Sequence, residues 1–380
     1  MKIRKDLSLG KLMTFELSKQ QPVHGWFWYK EGFAPEIFDY SVKGKTPKIV
    51  LDPFCGVGTS LLAAKRIGID SVGIDSSPLA VFISKTKTED YSEDDIRRVK
   101  EFLGKIKGAK QESGLGWEFE LFSPRAAFPK RNYNQILALR AAIENENPKI
   151  RNLLLLALLS ILPQASIVMK DGGVLKINKR KKALPAKEIF KRKVKRMIRD
   201  LEEVKYCRHV PEVFLGDARA VNLESESIDF VLTSPPYLNN IDYSKIYGLE
   251  LSLLEMSKAV AQEARMRAIR SFIGRDMKVS EMPPEVEELG SSIPIVGTYF
   301  QDMEKAFREM LRVMKAGSEA HIVVSNSVIH KTHIPVDEIF GRMAERLGFS
   351  DVEIVVGAER IADVKPQKIR TRESIVRIIK

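Results

Sequence analysis

The sequence is poor in the residues that bind metals or form disulfides. Its 380 residues contain two cysteines, Cys55 and Cys207, and five histidines. The histidines show no CxxC or HExxH companion spacing, and two cysteines cannot make a disulfide framework or a structural zinc site. We therefore expect neither a metal nor a disulfide scaffold.

Long apolar runs are missing too. The N-terminal stretch MKIRKDLSLGKLMTF is charged throughout and lacks the apolar core of a signal peptide. The most apolar stretch, residues 153–169, is interrupted by Pro163, Gln164 and Ser166, so it falls short of a bilayer span. These features predict a cytoplasmic protein in which this stretch forms a buried helix.

Acidic residues are outnumbered. Lys and Arg total 62 against 50 Asp and Glu, a net charge of +12. Twelve of the basic residues fall between positions 176 and 199, with Glu188 as the one acid among them. A basic balance favours a polyanionic partner, and so extreme a run favours nucleic acid over a solvated helix face.

Strands and helices alternate in the first part of the chain. KIVLD (48–52) is a short strand that leads through a glycine turn into a helix, and DSVGID (70–75) is a second strand before another helix. Residues 92–209 then read as mostly helical. Such alternation predicts a parallel sheet with crossover helices, interrupted by a large helical insertion.

The alternation resumes at EVFLGDARAV (212–221) and SIDFVLTSPPY (227–237). A helix over 299–317 is expected to end at Gly317, and a later helix at Gly348. Two strands without a helix between them close the chain and can pair antiparallel. The sequence therefore predicts an α/β fold, a doubly wound sheet of about seven strands.

A glycine turn and three acids follow strands of this sheet. Gly56 and Gly58 in DPFCGVGTS let a ligand approach the backbone at the start of a helix. Asp75 ends the next strand, where an acid accepts hydrogen bonds from ribose hydroxyls, and Asp217 follows a third. Asp52 needs a partner at a buried strand end, and a cationic amino or sulfonium group suits it. The alternative is a plain turn with a capping Asp.

Two prolines end the strand before TSPPY. Pro235 and Pro236 fix two φ angles and remove two amide donors, leaving a rigid turn rich in acceptors. An exocyclic amine could donate to a carbonyl there and to the Ser234 hydroxyl, while a base stacks on Tyr237. An amine of this kind needs positioning and acceptors rather than a strong base.

Together, DPFCGVGT and TSPPY resemble the S-adenosylmethionine-dependent amino methyltransferases of DNA, over about residues 24–90 and 212–380. The resemblance implies a Rossmann-like methyltransferase sheet with S-adenosylmethionine as cofactor, and it assigns roles to individual residues. The implied cofactor-binding residues are Phe33, Asp52, Phe54, Gly56, Gly58, Thr59, Asp75 and Asp217. The implied catalytic residues are Ser234, Pro235, Pro236 and Tyr237. Phe33 has an alternative place in the core.

The same resemblance bears on the substrate. Serine before the prolines is associated in the family with methylation of cytosine N4, which makes a site-specific DNA methyltransferase of that type the leading hypothesis. Adenine N6, or guanine N2 of tRNA, are the alternative acceptors, and a non-catalytic nucleic-acid-binding module is a different class. A partner restriction endonuclease is a further expectation of the resemblance.

Division of the chain follows from these motifs. Residues 1–91 form the cofactor half, 92–210 the basic insertion, and 211–380 the catalytic half with a smaller insertion at about 238–298. Double-stranded DNA is the expected partner, and RMRAIRSFIGR (265–275) is a second basic cluster. The expected nucleic-acid-binding residues are Lys179, Arg180, Lys181, Lys182, Arg192, Lys195, Arg196, Asn240 and Tyr243.

Overall fold

One eight-stranded sheet runs through the protein. The computed structural model describes residues 1–106, 116–171, 173–204, 210–257, 259–273, 277–279, 281–289, 293–364 and 367–380. The strands are β1 (Lys2–Lys5), β2 (Ile49–Asp52), β3 (Asp70–Asp75), β4 (Val168–Asp171), β5 (Val174–Ile177), β6 (Glu212–Leu215), β7 (Ile228–Thr233), β8 (Met314–Ser325), β9 (Ser327–Ile329), β10 (Thr332–Ile334), β11 (Ser350–Val364) and β12 (Gln367–Ile379).

Helices fill most of the connections between the strands. They are α1 (Glu36–Val42), α2 (Thr59–Arg66), α3 (Pro78–Thr88), α4 (Glu93–Lys105), α5 (Pro124–Ala127), α6 (Lys130–Glu144), α7 (Pro148–Ala165), α8 (Ala186–Glu203), α9 (Tyr243–Ile246), α10 (Gly248–Glu255), α11 (Ala259–Arg267), α12 (Pro284–Glu287), α13 (Pro294–Val313) and α14 (Val336–Leu347). Short 3₁₀ turns at Leu7–Leu9, Leu17–Lys19 and His24–Trp26 shape the N-terminal segment.

The strand order of the large sheet is β1-β11-β12-β8-β7-β2-β3-β6. β12 runs antiparallel to both of its neighbours, and the other pairs are parallel. The seven predicted strands and the antiparallel closing pair are confirmed, which makes this a doubly wound, Rossmann-like sheet. An eighth strand was not predicted: β1 adds to the edge at β11, and its sequence KIRK carries one apolar residue.

Helices pack on both faces of the sheet. Successive side chains of a buried strand point to opposite faces, so neighbouring residues contact different helices. Phe230 of β7 packs on one face with Ile37 and Phe38 of α1, and the next residue, Val231, packs on the other with Phe300 and Phe307 of α13. All six side chains are at most 1% exposed. This two-sided burial fixes the register of β7 and with it the position of the loop that follows.

The insertion between β3 and β6 is mostly helical, as predicted, and it carries the small hairpin of β4 and β5. Its central helix α7 is the buried helix expected from the sequence, with Leu154, Leu156, Leu158 and Leu159 at 0% exposure. The insertion shares its apolar core with Leu79 and Ile83 of α3. Among the described residues, no helix is long and apolar enough to span a membrane.

One helix end was predicted wrongly. Helix α13 ends at Val313, four residues before Gly317, because Met314 already belongs to β8. Gly317 has a φ of +77°, but it bends the start of β8, where its amide donates to the carbonyl of Lys380 at 2.8 Å. The prediction at Gly348 is confirmed, since this glycine caps α14 with a φ of +103°.

Candidate active site

A cleft of about 300 Å³ opens where β2, β3, β6 and β7 end. Ligands of doubly wound sheets bind outside the carboxyl ends of the strands. The walls come from the loops after these strands, from the segment before α1 and from the smaller insertion. Lining residues lie in the ranges 29–31, 53–56, 75–80, 217–218, 234–244, 247–251 and 264–272. The cofactor and catalytic motifs therefore share one cleft.

The loop after β2 places its first glycine at the cleft. Phe54 and Gly56 line it, and the Gly56 amide donates to Asp75 Oδ2 at 2.9 Å. Gly56 has a φ of +51°, which disfavours a side chain there. Gly58 and Thr59 do not line the cleft. Gly58 packs against α3, where a Cβ would come within 2.8 Å of the Ser84 hydroxyl, and Thr59 begins α2 and is buried.

Asp52 does not face the cleft, and the expectation that it holds a cationic ligand group is wrong for this structure. It is 3% exposed. Its carboxylate accepts hydrogen bonds from the hydroxyls of Ser60 and Thr233 and from the Phe54 amide. Burial raises the pKa of this carboxyl to about 6, although the two hydroxyls and the amide oppose the rise. Asp52 is therefore a link between two loops.

Asp75 and Asp217 both line the cleft. The Asp75 carboxylate accepts from the amides of Ser77 and Gly56, and burial raises its pKa to about 6 against these two bonds. Asp217 is held by Arg219, whose Nη2 lies 2.7 Å from Oδ2. The same guanidinium also pairs with Asp302 on α13 at 3.0 Å.

Phe33, expected to touch the cofactor, lies in the core instead. It is 4% exposed and packs with Ile37, Phe38 and Val50. The aromatic side chain at the cleft from this segment is Tyr29, which stacks on Tyr247 with ring centroids 4.6 Å apart. An aromatic residue close to the first strand pointed to this wall, but the sequence did not reveal which one.

Two further side chains of this wall were missed by sequence reasoning. Glu31 lines the cleft and accepts from the Tyr247 hydroxyl at 2.6 Å. The ammonium group of Lys170 lies over the Tyr247 ring, which also lines the cleft, at 3.5 Å from the ring centroid. Because Lys170 belongs to β4, the hairpin of the insertion contacts this wall directly. No local pattern in the sequence connects these three residues.

The turn after β7 brings all four predicted catalytic residues to the cleft. Tyr299 of α13 donates its hydroxyl hydrogen to the Pro236 carbonyl at 2.9 Å, and the Asn239 amide donates to the Tyr237 carbonyl at 2.8 Å. Among the described residues, none donates a hydrogen bond to the Pro235 carbonyl. The Pro236 carbonyl, one of the acceptors that the turn offers, therefore already accepts a hydrogen bond from within the protein.

The Tyr237 side chain is half-buried in the wall of the cleft. Burial raises the pKa of its phenol well above the usual value, Glu373 adds to the rise, and the Ser234 hydroxyl and Arg360 oppose it. The phenol therefore stays protonated at neutral pH. A phenol in this state cannot act as a base.

Asn240 was expected to line the cleft, but its neighbour Asn239 does so instead. Asn240 does not line the cleft. Its backbone adopts a φ of +58°, and its Oδ1 accepts from the Ile273 amide at 2.8 Å, so it holds a neighbouring loop. Asn239 lines the cleft instead, next to Tyr243, whose hydroxyl accepts from Asn239 Nδ2 at 3.4 Å. Tyr243 lines the cleft as expected.

In the basic run of residues 176–199, some of the predicted nucleic-acid-binding side chains are exposed and others form hydrogen bonds within the protein. Exposed are Lys179, Arg180, Lys182, Arg192 and Lys195. Lys181 instead donates to the carbonyls of Pro163 and Val168, and Arg196 donates to the carbonyl of Lys19. These two expected nucleic-acid contacts hold the protein's own backbone.

The second basic cluster lies partly at the cleft, and Gly274 and Arg275 of it lie outside the described residues. Arg265 pairs with Asp242 at 2.8 Å and with Glu120, while Arg267 is exposed at the cleft rim. Within the described ranges, no group of three or more His, Cys, Asp or Glu side chains is arranged to hold a metal ion.

Comparisons with known proteins point in one direction. No family model matches the chain. It is similar to the Type II methyltransferase M.BsoBI of Geobacillus stearothermophilus, with 25% identity over 96% of this chain and 87% of that protein. It is equally similar to the Type II methyltransferase M.AvaI of Nostoc sp., with 26% identity over 94% of this chain and 85% of that protein.

Among solved structures, a SAM-dependent methyltransferase of Methanosarcina mazei aligns over 90% of this chain and 96% of its own, at 9% identity and a TM-score of 0.34. Since that score is low, the fold assignment rests on the strand order and not on this likeness.

Proposed function

We propose that this protein is a site-specific DNA methyltransferase that moves a methyl group from S-adenosylmethionine to the exocyclic amine of a flipped base, with cytosine N4 as the favoured acceptor. One observation carries the proposal: the glycine loop with Asp75 and the Ser234–Tyr237 turn line a single cleft. The Thr233–Asp52 hydrogen bond of 2.6 Å fixes the two loops relative to each other. Similarity to two Type II methyltransferases over nearly the whole chain supports it.

The donor half of the cleft fits S-adenosylmethionine, whose sulfonium supplies the methyl group. Each Asp75 oxygen accepts one backbone amide and keeps a lone pair for a ribose hydroxyl. Gly56 lines the cleft, and a Cβ added to it would have no neighbour closer than 3.8 Å, so its backbone is open to close approach. Tyr29 and Glu31 close this half at the side of α10.

The acceptor half suits a weakly nucleophilic amine. The Ser234 hydroxyl and the Pro235 carbonyl would accept the two hydrogens of an exocyclic NH2 and orient its lone pair. The same oxygens stabilise positive charge that develops on nitrogen. Tyr237 would present its ring to the flipped base. Tyr299 holds the turn in place through the Pro236 carbonyl.

Identity of the acceptor base rests on Ser234. Serine at this position favours cytosine N4 by resemblance, and adenine N6 is the alternative that the same geometry serves. An exocyclic amine of RNA would fit the same acceptors, so the nucleic acid must be tested directly.

The insertion would supply part of the contact with the duplex. Gly173, in the turn before β5, lies against the loop after β7: a Cβ there would be 3.6 Å from the Asn240 carbonyl oxygen. The exposed cations Lys179, Arg180 and Lys182 follow directly, and none has an acidic partner in the described part of the chain. Cations so placed would neutralise phosphates next to the target base.

Transfer of tritium from labelled S-adenosylmethionine tests this function. The expected result is incorporation into duplex DNA and little into tRNA, with loss of incorporation in S234A and unchanged incorporation in S225A, an alanine substitution of a serine away from the cleft. Incorporation into tRNA alone would replace DNA by RNA as substrate. No incorporation into either, with intact binding of the methyl donor, would remove the proposal.

A further inference from the structure

β11 and β12 continue as a two-stranded ribbon after their sheet neighbours have ended. β12 pairs with β8 only over Glu373–Ile379, and β11 pairs with β1 only over Glu353–Val356. Beyond them, five residue pairs run from Arg360 and Thr371 to Val364 and Gln367. At about 3.4 Å per residue, this ribbon extends about 15 Å past the sheet.

The ribbon projects on the side of the cleft. Ser325, at the carboxyl end of β8, pairs with Glu373 of β12, where the ribbon begins. Thr233, the residue before the catalytic turn, pairs with Ile322 of the same β8. β7 and β12 therefore lie two strand spacings apart, about 10 Å. The effects of Arg360 and Glu373 on the pKa of the Tyr237 phenol agree with this proximity.

One face of the ribbon carries two exposed cations, Lys368 and Arg370. The pairs Ile361–Arg370 and Asp363–Lys368 alternate with the intervening pair, so Ile361, Lys368 and Arg370 share a face. All three are exposed, Ile361 to 64%. Glu359 lies at the base of this face; Lys5, 2.6 Å away, and more weakly Arg370 hold the pKa of its carboxyl below the usual value.

We propose that this ribbon, residues 360–364 and 367–371, is a DNA-contacting arm that binds the duplex on the side of Tyr237, while the β4–β5 hairpin contacts it on the side of Asn240. The proposal rests on the proposed function. Lys368 and Arg370 bind backbone phosphates, and Ile361 packs against the sugar and base edges. A two-stranded ribbon fits the major groove, which is about 12 Å wide.

The length of the loop after β7 keeps the two contacts close to each other. Tyr237 and Ile241 are four residues apart, so they are separated by at most about 14 Å. The ribbon lies at the first of these residues and the hairpin at the second. A duplex of DNA thus meets both elements around the flipped base. A second copy of this chain is a poorer occupant, because its net charge of +12 repels the same cations.

The salt dependence of DNA binding shows whether Lys368 and Arg370 contact phosphates, because each contact releases counterions. The double variant K368Q/R370Q is compared with K43Q/K48Q, which removes the same charge from two exposed lysines that precede the amino end of β2, the end of the strand away from the cleft. Binding of a 25-base-pair duplex is measured by fluorescence anisotropy over a range of salt concentrations. K368Q/R370Q is expected to lower the slope of log K against log salt by about 2 and the affinity roughly 30-fold at 0.15 M salt. K43Q/K48Q is expected to bind as the wild type.

Two further measurements make the outcome decisive. A photoreactive residue in place of Ile361 should crosslink to the duplex, and one in place of Ile67, an isoleucine exposed to 48% at the C-cap of α2, should not. Equal slopes and affinities for the two double variants would overturn the proposal, as would a change of oligomeric state in K368Q/R370Q by sedimentation. If the wild-type protein methylates DNA and the ribbon variants behave like it, only the ribbon proposal fails. If the wild type transfers no methyl group to DNA, the proposed function fails as well.

Discussion

Thr233 donates its hydroxyl hydrogen to Asp52 Oδ1 over 2.6 Å, across 181 residues of sequence. Asp52 ends the strand before the glycine loop, and Thr233 ends the strand before the catalytic turn. Both side chains are buried. The bond therefore holds the glycine loop and the proline turn at a fixed distance, on which the proposed methyl transfer would depend.

T233V should uncouple these two halves. Valine keeps the volume but leaves Asp52 without one of its donors, which costs about 1–3 kcal/mol for a buried acceptor. We expect a lower midpoint in urea unfolding and a fall in kcat, whereas T233S restores both because it keeps the hydroxyl. If T233V matched the wild type in kcat, the bond would have no part in aligning the loops.

Binding of S-adenosylmethionine should weaken in acid through Asp75. Ribose hydroxyls donate to the ionised carboxylate, and burial has raised the pKa of this group to about 6 in the free protein. Binding is therefore independent of pH well above 6 and loses up to about tenfold in affinity per unit below it, since protons then compete with the ligand. Calorimetry from pH 5 to 8 measures this dependence.

D75N provides the matching control for that titration. Asparagine cannot ionise, so its residual affinity should stay level over the same pH range. A wild-type affinity that does not change between pH 7 and pH 5 would contradict the assignment of Asp75 to the ribose.

Y299F should slow transfer without changing the affinity for the methyl donor. The Tyr299 hydroxyl is the donor to the Pro236 carbonyl, and its loss lets the catalytic turn shift, which costs about ten- to a hundredfold in kcat. Y91F is the matched control, because the Tyr91 hydroxyl also donates to a main-chain carbonyl, that of Thr86, at 3.0 Å. Equal losses of kcat in both variants would indicate a general loss of stability and not a role of Tyr299 in the turn.

Stability should rise between pH 7 and pH 9 because of two lysines, Lys87, which is buried, and Lys193, which is half-buried. Lys87 and Lys193 donate to the carbonyls of His24 and Gly25, and burial lowers the pKa of each to about 7. Between this value and their ordinary pKa near 10.5, the unfolded chain holds more protons than the folded one, so the free energy of unfolding increases with pH.

K87M/K193M tests that assignment. The double variant should flatten the dependence of urea stability on pH, although it also loses two hydrogen bonds. A slope equal to that of the wild type would show that other groups control the stability in this range.

Features of the fold and the site could be predicted from the sequence where they depend on a short stretch of neighbouring residues. The glycine loop and the double proline are local patterns, and they correctly placed Gly56, Asp75 and Ser234 at strand ends. The direction of Asp52 is not local: its partner Thr233 comes from a strand that only tertiary pairing brings close. Sequence alone also could not choose between Phe33 and Tyr29, since both aromatic side chains suit a core or a cleft wall.

The ribbon beyond the sheet escaped sequence reasoning for a related reason. Residues 360–371 carry mixed polar and apolar side chains, so their alternation does not reveal where β8 and β1 stop pairing. Likewise, the contact of Lys170 with Tyr247 joins the insertion to the cleft through residues 77 positions apart. Features that depend on the ends of neighbouring strands need the assembled sheet.

The most direct test of the central claim is nucleoside analysis of DNA from a host without DNA methylation that expresses this protein. The account predicts N4-methylcytosine within one short sequence, and its absence from cells that express S234A at an equal level. Methylated adenine would keep the enzyme and change the base. Unmodified DNA from cells that contain folded protein able to bind S-adenosylmethionine would contradict the account.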